Sequence, residues 1–180
     1  MFKLLLKGAQ KMSSGPTFKV KFRRRRKSKT NYKKRLALLK SKKLRFVVRR
    51  TNNSTICEFV EYKPKGDDVK TFYASAALKK LGWKGHTGNL SAAYLTGYIC
   101  GKKAIKEGVK EAILDIGLVT PIHGSRVFSA LKGAIDAGIT IPTDEKVFPS
   151  KDRISGKHIN EETSTNFEET KKAIEKEFGD

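Results

Sequence analysis

Apolar positions between Leu44 and Tyr73 fall into three short runs, and their spacing predicts strands over 44–50, 56–62 and 69–73. The segments between them, Thr51-Asn-Asn-Ser54 and Pro64-Lys-Gly-Asp-Asp68, are rich in turn formers, so the three strands read as an antiparallel meander. A short helix over 74–81 is stopped by Gly82. Thr87-Gly-Asn89 then offers capping side chains to a long helix whose apolar side is Leu90, Tyr94, Leu95, Tyr98, Ile99 and Ile105, ending near Gly108. Gly97 and Gly101, one turn apart with Ala93 above them, predict close packing of this helix on a sheet. Residues 112–116 have a buried-strand pattern, and 125–137 repeat apolar residues at helical spacing (Val127, Phe128, Leu131, Ala134, Ile135). Gly138 supplies a stop before Ile139-Thr-Ile141-Pro142. Strand, helix and strand in that order read as a right-handed parallel unit. The fold class is therefore α/β (α+β): a mixed sheet built from a three-strand meander and a βαβ unit, packed by helices.

The flanks have other patterns. Phe18-Lys-Val-Lys-Phe22 alternates apolar and basic residues and runs into Arg23-Arg-Arg-Arg-Lys27, a density of like charge that predicts an extended, unpacked arm. From Thr30 to Ser41 the apolar residues Tyr32, Leu36 and Leu39 take helical spacing against Lys33, Lys34, Arg35 and Lys40, a short basic amphipathic helix. After Pro149 the chain turns polar, with 6 basic and 8 acidic residues from Lys151 to Asp180. A helix over 168–178 would carry only Ala173, Ile174 and Phe178 on its apolar face, so this stretch reads as a peripheral tail. The expected organisation is a basic arm (1–29), one globular domain (30–150) and a polar C-terminal extension (151–180).

Composition adds where the charge lies. The chain has 180 residues and a net charge of +21, yet its first 50 residues hold 20 Lys/Arg and no acid, leaving 19 basic and 18 acidic residues beyond them. A nearly balanced body thus carries a cationic arm, and a polyanionic partner is the first expectation. The two cysteines make no disulfide framework or zinc spacing and fit a reducing cytosol. Three consecutive leucines before Lys7 are too few for a signal sequence or a spanning helix, so no membrane partner is expected.

Catalytic constellations are missing from the pattern. His86, His123 and His158 are scattered, with no carboxylate at metal-ligand spacing, so no metal site is expected. Gly124-Ser-Arg126 lacks the strand-turn-helix surroundings of a nucleophile, and Ser125 reads as a helix cap. Gly97-Tyr-Ile-Cys-Gly-Lys-Lys103 has the wrong spacing for a phosphate loop and lies within a helical pattern. Asp67 and Asp68 sit in a turn tip, where solvated charge is expected. No enzyme, cofactor or small-molecule substrate follows from these residues.

The arm carries the positive signal. Twenty uncompensated charges interleaved with Phe18, Phe22, Tyr32 and Phe46 suit phosphate contact by arginine forks and stacking of bases on aromatic faces. Zinc-finger, zipper and helix-turn-helix signatures for a duplex major groove are absent, which favours RNA over DNA.

Phe22-Arg-Arg-Arg-Arg-Lys-Ser-Lys-Thr-Asn-Tyr32 resembles the 5S-rRNA-binding family of large-subunit ribosomal proteins, numbered eighteen in bacteria and five in eukaryotes. The resemblance continues through Val48-Arg-Arg-Thr-Asn-Asn-Ser-Thr-Ile56 and Leu81-Gly-Trp-Lys-Gly-His-Thr-Gly-Asn-Leu-Ser-Ala-Ala-Tyr-Leu-Thr-Gly97. It ends with Ile113-Leu-Asp-Ile-Gly-Leu118 and Gly124-Ser-Arg-Val-Phe-Ser-Ala-Leu-Lys-Gly-Ala-Ile-Asp-Ala-Gly138. Coverage runs from about Pro16 to His158, and the arginine block and length look most like the archaeal branch. Lys27 and Ser28 stand where many relatives carry an acid and a glycine, and Asn31 where an aspartate is common. Met12-Ser-Ser-Gly-Pro-Thr17 looks like an ordinary family start, so translation is expected to begin at Met12.

The resemblance implies a structural ribosomal protein, located on cytoplasmic ribosomes, that binds 5S rRNA and joins it to large-subunit rRNA beside neighbouring proteins of the central protuberance. Lys19, Lys21, Arg23, Arg24, Arg25, Arg26, Lys27 and Lys29 would then follow rRNA phosphates, with Lys33, Lys34 and Arg35 extending that contact. Arg49, Arg50, Asn52 and Asn53 would present a hairpin tip to 5S rRNA. Lys84, His86, Thr87 and Asn89 would lie in a glycine-bounded loop suited to phosphate at a helix N-terminus. For Asn52, Asn53 and that loop, turn and cap chemistry alone is the competing explanation.

Overall fold

The computed structural model describes residues 15–178; the Met12 expectation and residues 1–11 lie outside them. Three strands form the meander, β1 (Arg45–Arg50), β2 (Thr55–Glu61) and β3 (Asp68–Ala74), and β4 (Ile113–Asp115) completes a sheet of order β3-β2-β1-β4. β1 and β2 pair antiparallel with Phe46 opposite Phe59 and Val48 opposite Cys57, whereas β1 and β4 pair in parallel with Phe46 beside Leu114. Alternation sends Phe46, Val48, Cys57, Phe59 and Tyr73 to one face, where all are buried. The mixed α+β class is thus the one read from the sequence.

Two helices cover that face. α3 (Leu90–Lys106) contacts β2 and β3, and α4 (Arg126–Asp136) packs on α3 and touches β1. Asn89 caps α3 as expected, its side-chain oxygen accepting from Ala92 N at 2.7 Å. The glycines of α3 serve a different neighbour from the one expected. A Cβ on Gly97 would stand 1.9 Å from the Ala130 carbonyl oxygen and one on Gly101 2.7 Å from the Ala137 Cβ, both on or just beyond α4. Gly133 of α4 answers them, since a Cβ there would lie 2.2 Å from the Tyr94 oxygen. Close packing is therefore helix on helix and not helix on sheet. The matched positions 97 with 130 and 101 with 134 ascend together, so α3 and α4 run in the same direction.

Three further expectations are corrected. The second strand of the 113–141 unit is a single parallel bridge between Glu111 and Thr140; Pro142 has no N–H to extend a ladder. The parallel element of the sheet is the β1–β4 pairing. The arm is not extended throughout, because Arg23–Arg26 form one helical turn (α1), although every residue from Gly15 to Lys29 is exposed. Residues 151–178, read as a polar extension outside the body, are instead part of it. α5 (Lys151–Ser155) buries Ile154, and α6 (Glu161–Phe178) buries Phe167 and Ile174 in the main core, with the Phe167 ring 5.6 Å from that of Tyr94. The apolar stripe of α6 includes Phe167, one residue before the stretch read as helical. Its polar members, Asn166 and Thr170, are buried because they are hydrogen-bonded: Asn166 Nδ2 donates to the Gly82 carbonyl and its Oδ1 accepts from Lys84 N, both at 3.0 Å, and Thr170 donates to the Asn166 carbonyl.

Ile174→Ala is expected to destabilise the protein by about 3 kcal/mol in urea unfolding, the usual cost of emptying a buried aliphatic site. A loss within about 0.5 kcal/mol, typical of a surface position, would return α6 to the role of an appendage.

Candidate nucleic-acid interface

Cationic residues read from the sequence fall into two groups. The first belongs to the arm and α2 (Tyr32–Leu39). α2 starts at Asn31, whose side chain accepts from Lys34 N at 3.2 Å. Arg24 Nε donates to the Thr30 hydroxyl at 2.8 Å, and Lys29 N to the Arg24 carbonyl at 2.8 Å, which folds the arm back beside α2. Ser28 takes φ 50°, the left-handed region that a glycine adopts without steric cost. Lys19, Lys21, Arg23, Arg25, Arg26, Lys27, Lys33 and Lys34 are exposed, and among the described residues none has an acidic partner. Arg24, Lys29, Lys34, Arg35 and Arg49 rim a cleft of about 560 Å³ whose floor is the β4 segment from Ile113 to Leu118.

Arg35 departs from this picture. It forks onto Asp67, with Nη2 2.7 Å from Oδ1 and 2.9 Å from Oδ2, while the buried Arg45 reaches Asp67 at 2.7 Å and Asp115 at 3.0 Å. Asp67 is therefore not the solvated turn-tip charge expected. Burial pushes its carboxyl up, but the hydrogen bonds from Arg35 and Arg45 outweigh this and hold it below the usual carboxylate range. The chain of ions Arg35–Asp67–Arg45–Asp115 ties α2 to the β2–β3 turn and to β4. Arg49 joins it half-buried, donating to the Asp115 carbonyl at 2.8 Å and standing 3.4 Å from Asp115 Oδ1. Arg35 is thus neutralised by the fold itself, and Arg49 in part. Of the aromatic residues, Phe46 is wholly buried and cannot stack on a base, whereas Phe18 and Phe22 are exposed and the Phe22 ring leans on Tyr32 at 5.3 Å.

The second group is the tip of the β1–β2 hairpin together with the loop before α3. Thr51 and Ser54 close the turn, Thr51 N donating to the Ser54 carbonyl at 2.8 Å and Ser54 N to the Thr51 hydroxyl at 2.9 Å. Asn52 and Asn53 project exposed between them, beside the exposed Arg50. Residues 84–89 lie against this tip: the Thr87 hydroxyl donates to the Asn53 carbonyl at 2.5 Å, and a Cβ on Gly88 would meet the Asn52 carbonyl oxygen at 2.5 Å. Two segments more than 30 residues apart in sequence thus form one surface. Lys84 and His86 are exposed on it. Gly88 N donates to His86 Nδ1 at 3.1 Å, so the neutral ring carries its proton on Nε2 as a donor. Asn89 is occupied as the cap of α3, and Thr87 by Asn53.

The N-termini of α3 and α4 both open at this end, the Ser129 hydroxyl of α4 donating to the Leu90 carbonyl of α3 at 2.8 Å. Neither helix has an acid in its first turn, so both dipoles add positive potential beside Arg50, Lys84 and His86. Ser125 occupies the N-cap position of α4 without a capping hydrogen bond from its side chain. Arg126, which is not among the residues singled out by the sequence, reaches from α4 to both parts of this surface. A cation in the first turn of a helix opposes the dipole, and that conflict is the one signal of it in the sequence.

With two cationic surfaces, exposed donors and, among the described residues, arm cations without ion-pair partners, the arrangement can hold phosphates along one strand and present amide edges to bases. The model of the family described as ribosomal large subunit proteins 60S L5, and 50S L18, matches residues 16–109 and 106–144, which span the arm, α2, the meander, the loop before α3 and α4.

Asp67→Asn should lower stability at neutral pH and flatten its decline in acid. Because the folded carboxyl titrates below its unfolded value, the stabilisation it supplies is present above about pH 4 and is lost as pH falls through the folded pKa. Wild-type and variant urea curves that keep a constant gap from pH 7 to pH 2 would contradict that assignment.

Proposed function

We propose a function for this chain from the premise that it belongs to the family of ribosomal large subunit proteins 60S L5 and 50S L18. Its place is the large subunit of the ribosome, and none of its described helices is long and apolar enough to cross a membrane. The finer reading is that it is a structural constituent that binds 5S rRNA and attaches it to the large-subunit rRNA in the central protuberance of cytoplasmic ribosomes, beside neighbouring proteins there. Function on this reading is binding and not turnover.

The observation that carries the reading is the division of labour between the two cationic surfaces. Lys19, Lys21, Arg23 to Lys27, Lys29, Lys33 and Lys34 supply charge that no carboxylate among the described residues takes up, and these residues would follow rRNA phosphates. Arg49 and Arg50 connect that track to the hairpin, where Asn52 and Asn53 offer both donor and acceptor to base or sugar edges. Lys84 and the His86 Nε2–H would reach the same RNA segment from the adjoining loop, with Thr87 and Asn89 holding that loop in shape. Phosphate contacts position the RNA and the tip reads it.

A chromatin-type DNA-binding protein would also carry a basic arm, but would hold duplex DNA and 5S rRNA equally well, so competition between them separates the two. An rRNA-modifying enzyme would require a cofactor fingerprint or a catalytic constellation, whereas the family is one of ribosomal large subunit proteins.

Changing Arg24 and Arg25 to alanine should weaken 5S rRNA binding without unfolding the body. It should also flatten the dependence of log affinity on log salt by roughly 0.7 to 0.9 for each phosphate no longer neutralised. Arg35→Ala, starting from a charge already matched by Asp67, should change the slope less than Lys34→Ala. Filter binding from 50 to 300 mM KCl measures all three, and an unchanged slope in the arm variant would refute the phosphate track.

A further inference from the structure

One hydrogen bond joins the hairpin tip directly to the loop before α3, and a single atom of α4 bridges the two with two more. Arg126 Nη1 donates to the Thr51 carbonyl at 3.0 Å and to the Gly88 carbonyl at 2.7 Å, while the Thr87 hydroxyl supplies the third, to Asn53. The fit leaves no slack: a Cβ on Gly88 would lie 2.5 Å from the Asn52 oxygen and 3.2 Å from Arg126 Nη1. Among the described residues Arg126 has no carboxylate partner, although it begins a helix whose dipole repels it. Burial and the neighbouring Arg50 both pull its guanidinium pKa down. Backbone carbonyls are what hold this cation in place, and they belong to the two segments assigned above to RNA recognition.

We infer that Arg126 is a positioning residue that locks the hairpin tip and the 84–89 loop into one preformed surface, so that Asn52 and Asn53 act on RNA together with Lys84 and His86. A tip held in advance does not lose conformational freedom on binding, which raises affinity without any added interaction with the ligand. Thr87 is the second member of the lock. The inference rests on the 5S rRNA reading for its ligand, but the lock itself exists in the free protein.

Two measurements on the full-length chain test it. In the free protein, Arg126→Ala or Thr87→Ala should speed amide hydrogen exchange at Thr51 and Ser54 more than tenfold while the amides of the α4 interior stay as protected as before; unchanged exchange at the tip would overturn the lock. In binding to 5S rRNA, Asn53→Ala should cost roughly tenfold in the wild-type background and less than about twofold when Arg126→Ala or Thr87→Ala is already present, because residues acting as a unit do not add. Arg126→Ala alone should weaken binding with the salt slope unchanged. Equal costs of Asn53→Ala in all backgrounds would overturn the coupling, and a flattened slope would make Arg126 a direct phosphate contact instead. Should Arg126→Ala fail to fold, Thr87→Ala decides. Should the wild type not prefer 5S rRNA over arbitrary RNA, the functional reading fails while the exchange result still judges the lock.

Discussion

Backbone-to-backbone packing of α3 on α4 is the constraint from which the rest of the structure follows. Gly97, Gly101 and Gly133 are where a methyl group would collide with the opposing helix or the residue just beyond it, so the two helices approach closely, backbone against backbone. Running in the same direction, they place both N-termini at one end of the body, and the β1–β2 hairpin turns at that end as well. The positive ends of two dipoles, the hairpin tip and the α3 loop are thereby gathered from three stretches far apart in sequence: the tip, the loop with the start of α3, and the start of α4. Where the helices cross fixes where the candidate interface lies.

Charge then separates into two kinds. Some cations are internal to the architecture: Arg45 between Asp67 and Asp115, Arg35 on Asp67, and Arg49 leaning on Asp115. They fasten α2 to the sheet edge, and their charge is largely matched. Others, from Lys19 to Lys34, have no acid at hand among the described residues, a state whose electrostatic energy falls most when a polyanion arrives. The ion network fastens α2, and the unmatched cations of the arm stay available to a polyanion. In a chain with a net charge of +21, this partition matters more than the total.

Much of this is legible in the sequence because it is periodic. The meander, the cap at Asn89 and the stop at Gly82 follow from alternation and from residues with one dominant conformational use. What escapes is non-local. Periodicity announces that Gly97 and Gly101 touch something closely but not whether it is a sheet or another helix. α6 is hard to read because its buried face includes Asn166 and Thr170, polar residues acceptable there only through hydrogen bonds to Gly82, Lys84 and the preceding turn. Arg35 looks like one more free cation because the aspartate that neutralises it lies 32 residues away. Arg126 looks like an ordinary helix residue because its partners are backbone carbonyls, which carry no sequence signature. Fold class is thus readable from local pattern, whereas the wiring of the interface depends on contacts that only the folded chain creates. The segment that closes the core, α5 and α6, also lies outside the region that matches the family.

Ultraviolet crosslinking of the full-length protein to 5S rRNA, followed by mass spectrometry of the crosslinked peptides, would locate the RNA on this surface. Crosslinks should fall on residues 18–34 and on the paired tip segments 50–54 and 84–88, with the exposed face of α6 free of them. Crosslinks concentrated on α6, or an arm and tip without any, would contradict the account.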